Sequence, residues 1–116
     1  MREIGIVLPS ERPAVIELRG PFVGEEAKEQ IGDAFLGAVS GGWNRIIVIC
    51  DKIYTIDQHG TTGILNGYES VRRSGGMVAF VSPGQELADT LGLGLLGNSF
   101  KMYSHLDDAF RALMSH

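Results

Sequence analysis

Ile46-Ile47-Val48-Ile49-Cys50 is an uninterrupted apolar run, and it constrains the rest of the chain more than any other stretch. A strand with no polar alternation belongs in the middle of a sheet that is covered on its faces. The segment Ile53–Gly63, I-Y-T-I-D-Q-H-G-T-T-G, follows it, and Ile64, Leu65, Tyr68 and Val71 then recur at helical spacing. A strand therefore ends at about Asp51, and a helix begins within about a dozen residues. Asp57 suits the N-cap of that helix, with Gln58, His59 and Gly60 as its first turn and Tyr54 and Thr55 just before it. First-turn N–H groups lack intrahelical partners and carry partial positive charge, which suits an anion or a partner's polar groups. The simpler alternative is that Asp57 only caps, while Gly60, Gly63 and Gly67 only pack close to a strand.

Upstream, Glu3–Leu8 and Ala14–Arg19 read as two strands of a hairpin joined by Pro9-Ser10-Glu11-Arg12-Pro13, with Gly20-Pro21 breaking the second. Glu25–Ser40 is an amphipathic helix with Ala27, Ile31, Ala34, Phe35 and Ala38 on one face, ended by Gly41-Gly42. Downstream, the second helix runs to Arg73, and Met77–Val81 is a further apolar strand. Ser82-Pro83-Gly84-Gln85 has the chemistry of a helix start with Ser82 at the cap, and that helix ends near Leu91-Gly92. Phe100–Tyr103 suits a short strand, and a last helix presents Leu106, Ala109, Phe110 and Leu113. Strands alternating with helices after a hairpin imply a mixed sheet with helices packed on it. At 116 residues, without an internal repeat or linker, the chain is expected to be one domain, residues 1–116.

Composition removes several function classes. A net charge of −4 with scattered basic residues gives no footprint for nucleic acid. No segment approaches the roughly 18 apolar residues of a membrane span, and the N-terminus has no signal-peptide pattern. A single cysteine, Cys50, allows neither an internal disulfide nor a zinc framework and reads as a buried thiol. The cytoplasm is the expected compartment.

Motifs with chemical meaning fail on context. Gly92-Leu93-Gly94-Leu95-Leu96-Gly97 spells G-x-G-x-x-G but follows a helix, and no acidic residue lies about twenty positions further on. It reads as a glycine-rich turn whose leucines pack or offer a contact surface. Asp57, His59, Thr61 and Thr62 include the residue types of a nucleophilic triad, yet neighbours on a helix do not converge. His105 and His116 are remote in sequence, and no paired metal spacing exists. No catalytic residue, metal or cofactor is expected.

The assembled pattern resembles the STAS domain family, whose best-known members are bacterial anti-sigma factor antagonists. The landmarks are Leu18-Arg19-Gly20, Ile56-Asp57 before a helix, Gly75-Gly76 before a strand, Ser82-Pro83 and Leu91-Gly92, in order from about Ile4 to Leu113. The resemblance implies an α/β fold: a STAS-like mixed sheet of four to five strands with about four helices, packed mainly on one side. It also implies docking, through the start of the second helix, onto an anti-sigma factor that is a serine kinase. That kinase phosphorylates a hydroxyl residue in a D-S-S-G-like motif, and the phosphate blocks docking. Here Gln58 and His59 stand where the hydroxyl residues belong, so His59 replaces the acceptor and Thr61 and Thr62 are the nearest hydroxyls.

The expected partner surface is therefore Tyr54, Thr55, Asp57, Gln58, His59, Gly60, Thr61 and Thr62, with Thr61 and Thr62 as candidate phosphorylation sites. Its partner would be an anti-sigma factor or serine-kinase-like protein. A subunit of a lipid-transport or stress-signalling complex, a small anionic ligand and a second copy of the chain are the alternatives. An imidazole at a helix N-terminus beside Asp57 also makes a pH-sensitive contact conceivable.

Overall fold

The computed structural model describes residues 2–8, 13–85, 87–89 and 101–114. Five strands form one sheet in the order β1 (Glu3–Val7), β2 (Ala14–Phe22), β3 (Arg45–Ile56), β4 (Met77–Val81) and β5 (Lys101–Tyr103). β1 and β2 are antiparallel; β2 to β5 are parallel. Helix α1 (Glu25–Ser40) links β2 to β3, and α2 (Gln58–Arg73) links β3 to β4. Residues 85 and 87–89 are helical, and α3 (Leu106–Met114) follows β5. The turn at 9–12, the leucine–glycine segment 91–97, Phe100 and His116 lie outside the described residues.

Because neighbouring parallel strands are added in one direction by crossovers of one hand, the connecting helices collect on one face. The period-2 alternation of the strands confirms this. Ile16, Leu18 and Phe22 of β2, Ile46, Val48 and Cys50 of β3, and Val78 and Phe80 of β4 are buried with α1, α2 and Leu87. Ile47, Ala79 and Val81 face the other way, where Ala109 and Leu113 of α3 cover them. Both faces of β3 are thus covered, as its unbroken apolar sequence requires. The helices lie mainly on one side, α3 being the exception.

The predicted faces of α1 and α3 are the observed ones. α1 ends as expected, with Gly42 at φ 96° and Trp43 N–H donating to the Ala38 carbonyl at 3.0 Å.

Three expectations need correction. Gly20-Pro21 does not break β2, which continues to Phe22; the pairing with β3 shifts register between Glu17 and Arg19 and again between Gly20 and Pro21, which accommodates the proline. β3 does not stop at Asp51 but runs to Ile56, so Tyr54 and Thr55 lie on a strand. Ser82 does not cap a helix. Its hydroxyl donates to the Ser104 carbonyl at 2.9 Å and its N–H to the Tyr103 carbonyl at 2.8 Å, tying the end of β4 to the end of β5. This linkage holds Ser82 at φ 52°, a left-handed conformation that a non-glycine residue rarely adopts. The helical turn starts later, with Ala88 N–H donating to the Gly84 carbonyl at 2.8 Å.

Candidate functional site

The carboxyl ends of β2 and β3 and the starts of α1 and α2 meet at one end of the molecule. Parallel strands with intervening helices make such an end the usual place for a ligand or partner. Phe22 and Ile56 close the two strands side by side, and the Asp57 N–H donates to the Phe22 carbonyl at 3.2 Å.

Asp57 organises this end. Its Oδ1 accepts the Gly60 N–H at 3.1 Å, capping α2 as the sequence predicts. Its Oδ2 accepts the Gly24 N–H at 3.0 Å, at the start of α1. Gly24 has no side chain with which to cap α1, so the carboxylate from β3–α2 bonds to both helix starts. The Gly60 N–H, then the Gly24 N–H and the charge of His59, hold the Asp57 carboxyl below its usual range.

His59 faces α1. Its Nδ1 lies 3.1 Å from Glu25 Oε2, and Lys28 Nζ approaches the other oxygen of Glu25 at 3.4 Å. Both His59 and Glu25 are about half exposed, so the contact is a surface one. Gly60 is buried: a Cβ there would collide with the Phe22 carbonyl and the Ile56 side chain. Gly63 and Gly67 do not pack against a strand. They let α2 approach α1, where a Cβ on Gly63 would lie 3.0–3.2 Å from Lys28 and Ile31 and one on Gly67 would overlap the Phe35 ring.

The remaining candidates face outward. Gln58, Thr61 and Thr62 line a groove of about 420 Å³ together with Ile56, Leu65 and Leu87. Tyr54 and Thr55 border a second cavity of about 270 Å³, which adjoins the first at Ile56 and Leu87. Tyr54 is 79% exposed, the most exposed large apolar side chain among the described residues. The expected surface is thus brought together for Tyr54, Thr55, Gln58, Thr61 and Thr62. His59 lies on the side toward α1, Gly60 is beneath, and Asp57 reaches the groove while bonded internally.

Sequence reasoning missed Ile53, Ile56, Leu65 and Leu87 in the groove walls and Glu25 as the neighbour of His59. The β-branched and aromatic run Ile53–Ile56 was the available signal that the strand continues.

Chemically, the site is suited to contact. Among the described residues, no group of three or more His, Cys, Asp or Glu is placed to hold a metal. Burial pushes the Cys50 thiol up to about 12, helped by the neighbouring Asp51 charge, so it is un-ionised and unreactive. The carboxylates of Asp57 and Glu25 compete with any anion for the helix starts, which weakens the anionic-ligand alternative. No helix among the described residues is long and apolar enough to cross a membrane.

Comparison with known proteins places this architecture. A Thermotoga maritima protein provisionally named an anti-sigma factor antagonist is 30% identical over 82 residues, 71% of this chain and 70% of its own. The anti-sigma factor antagonist structure from Mycobacterium paratuberculosis superposes with a TM-score of 0.78 at 17% identity, covering 97% of this chain and 94% of that one. The phosphorylated form of SpoIIAA, a Bacillus cell-fate determinant, superposes at 0.75 with 18% identity, over 95% of this chain and 99% of that one. These structural likenesses establish the shared fold. The profile of the STAS domain matches residues 7–109, from the last residue of β1 into α3, and on that match the chain belongs to the STAS domain family.

Proposed function

We propose that this chain is a non-enzymatic, protein-binding signalling module of the anti-sigma factor antagonist kind. Its docking surface is the groove end formed by Tyr54, Thr55, Gln58, Thr61 and Thr62. The observation that carries the reading is the placement of these residues. An exposed aromatic, four hydroxyl or amide side chains and the apolar Ile56, Leu65 and Leu87 form one concave surface at the carboxyl end of the sheet. Apolar anchors with a polar border are the usual anatomy of a protein interface. The family, and the Thermotoga maritima relative, support the same class of partner.

In this reading His59 occupies the position of the family's hydroxyl acceptor but lies beside Glu25, outside the groove. Thr61 and Thr62 are the hydroxyls that line it. A phosphate on either would bring nearly two negative charges next to Asp57 and obstruct an apolar partner.

The test is capture from native lysate with tagged protein, comparing wild type with Tyr54→Ala, Thr62→Glu and His59→Glu. The reading expects an ATP-binding, kinase-like protein with wild type, lost with Tyr54→Ala and Thr62→Glu and retained in part with His59→Glu. Recovery of transport-complex subunits would overturn the antagonist assignment. Undiminished capture by Tyr54→Ala and Thr62→Glu would overturn the surface.

A further inference from the structure

β3 is longer than the strand beside it. β4 pairs with it only along Arg45–Ile49, whereas β2 follows it to Ile56. Among the described residues, Lys52–Ile56 therefore has a strand on the β2 side and none on the other. β4 cannot extend to fill that side. Its last residue, Val81, is followed by Ser82 at φ 52°, held by the bonds to Tyr103 and Ser104, and the chain turns away into the helical residues 85 and 87–89. The gap left in the line of β4 is the cavity of about 270 Å³, with Cys50, Ile53 and Ile56 on one wall and Gly84, Gln85 and Leu87 on the other.

Two features define what would fit. A strand edge offers backbone N–H and C=O groups whose natural complement is another extended chain. Proteins that bind by strand addition draw affinity from those bonds and specificity from pockets for alternate side chains. The described lining residues themselves carry no charge. In the segments that border them stand Asp51, Asp57 and Asp89 against Lys52, an excess of negative charge around the cavity. The arrangement favours a cationic segment.

We propose that an extended segment of the partner protein, with alternating apolar residues flanked by Lys or Arg, adds to β3 as a strand along Lys52–Ile56. The inference rests on the docking surface proposed above and specifies what the partner presents to it.

The probe is a capped hexapeptide of alternating valine and threonine between terminal lysines, titrated into the isotope-labelled protein and followed by NMR. Amide shifts of Lys52–Ile56 are expected to move and saturate. The same peptide N-methylated at alternate amides keeps its side chains but loses its backbone donors, and should bind about tenfold more weakly. Asp51→Lys should weaken the unmodified peptide and Lys52→Glu should tighten it; both positions are exposed, so the fold is not at risk. Absence of shifts at Lys52–Ile56, or equal binding of the N-methylated peptide, overturns strand addition. Shifts at these residues that depend on protein concentration without peptide would assign the edge to a second copy and overturn it too. If the peptide fails while Tyr54→Ala and Thr62→Glu still abolish partner capture, the docking surface stands and only strand addition falls.

Discussion

Asp57 is the residue on which the candidate site depends, because one carboxylate accepts the N–H of Gly60 in α2 and of Gly24 at α1. Its folded-state pKa is lowered, so its contribution is fully present above the unfolded carboxylate value and is lost as pH falls through the folded one. Asp57→Asn should therefore lower the urea midpoint at about pH 7, and the difference from wild type should shrink toward about pH 3. Parallel urea titrations at the two pH values check this; an equal loss at both would show that shape, not charge, is what Asp57 supplies. His59 presents the opposite case. Its contact with Glu25 is half exposed, so His59→Ala should leave the thermal midpoint nearly unchanged, measurable by calorimetry. The cap was legible in the sequence because Asp before a helical period has a local mechanism. The bond to Gly24 was not, because it joins residues 33 apart and is visible only once β2 and β3 lie side by side.

Among the elements, the α1–α2 contact sets how closely the two helix starts approach. Gly67→Ala would push a methyl group into the Phe35 ring and should destabilise by about 1–3 kcal/mol. Gly37→Ala, on the exposed side of α1 with open space around it, should instead stabilise by roughly 0.5–1 kcal/mol. Chemical denaturation of both variants tests the pair, and loss of stability in Gly37→Ala would contradict the account. On the opposite face α3 is the sole described cover, and Leu113→Ala should cost about 2–5 kcal/mol by the same measurement.

Element by element, periodicity recovered most of the fold. α1, α2 and α3 each show an apolar stripe that matches the residues buried in the structure. What the sequence hid was where strands end. Gly20 and Pro21 are local breakers, yet pairing with β3 and two register shifts carry β2 through them. Asp51-Lys52 interrupts the apolar run, so by pattern alone the strand ends at about Asp51. In the structure those polar residues are simply the exposed part of a strand that has outrun its neighbour. Ser82 was misread for a similar reason: its hydroxyl has a local use at a helix cap, but a partner at Ser104 takes it.

At the scale of the whole molecule, the arrangement separates stability from contact. The two cores lie on the two faces of the sheet, while the exposed Tyr54, Thr55 and Gln58 and the half-buried Thr61 and Thr62 sit at the carboxyl end of the strands. Surface substitutions at that end should therefore alter binding without altering folding. Tyr54→Ala should retain the wild-type thermal midpoint within about a degree or two, since its side chain is largely exposed.

Hydrogen exchange of the chain, free and bound to the protein it captures, tests the central claim most directly. The account predicts that protection on binding concentrates in residues 52–65, across the end of β3 and the start of α2. Protection that leaves those residues unchanged and falls instead on α3 or on the β1 edge would contradict it.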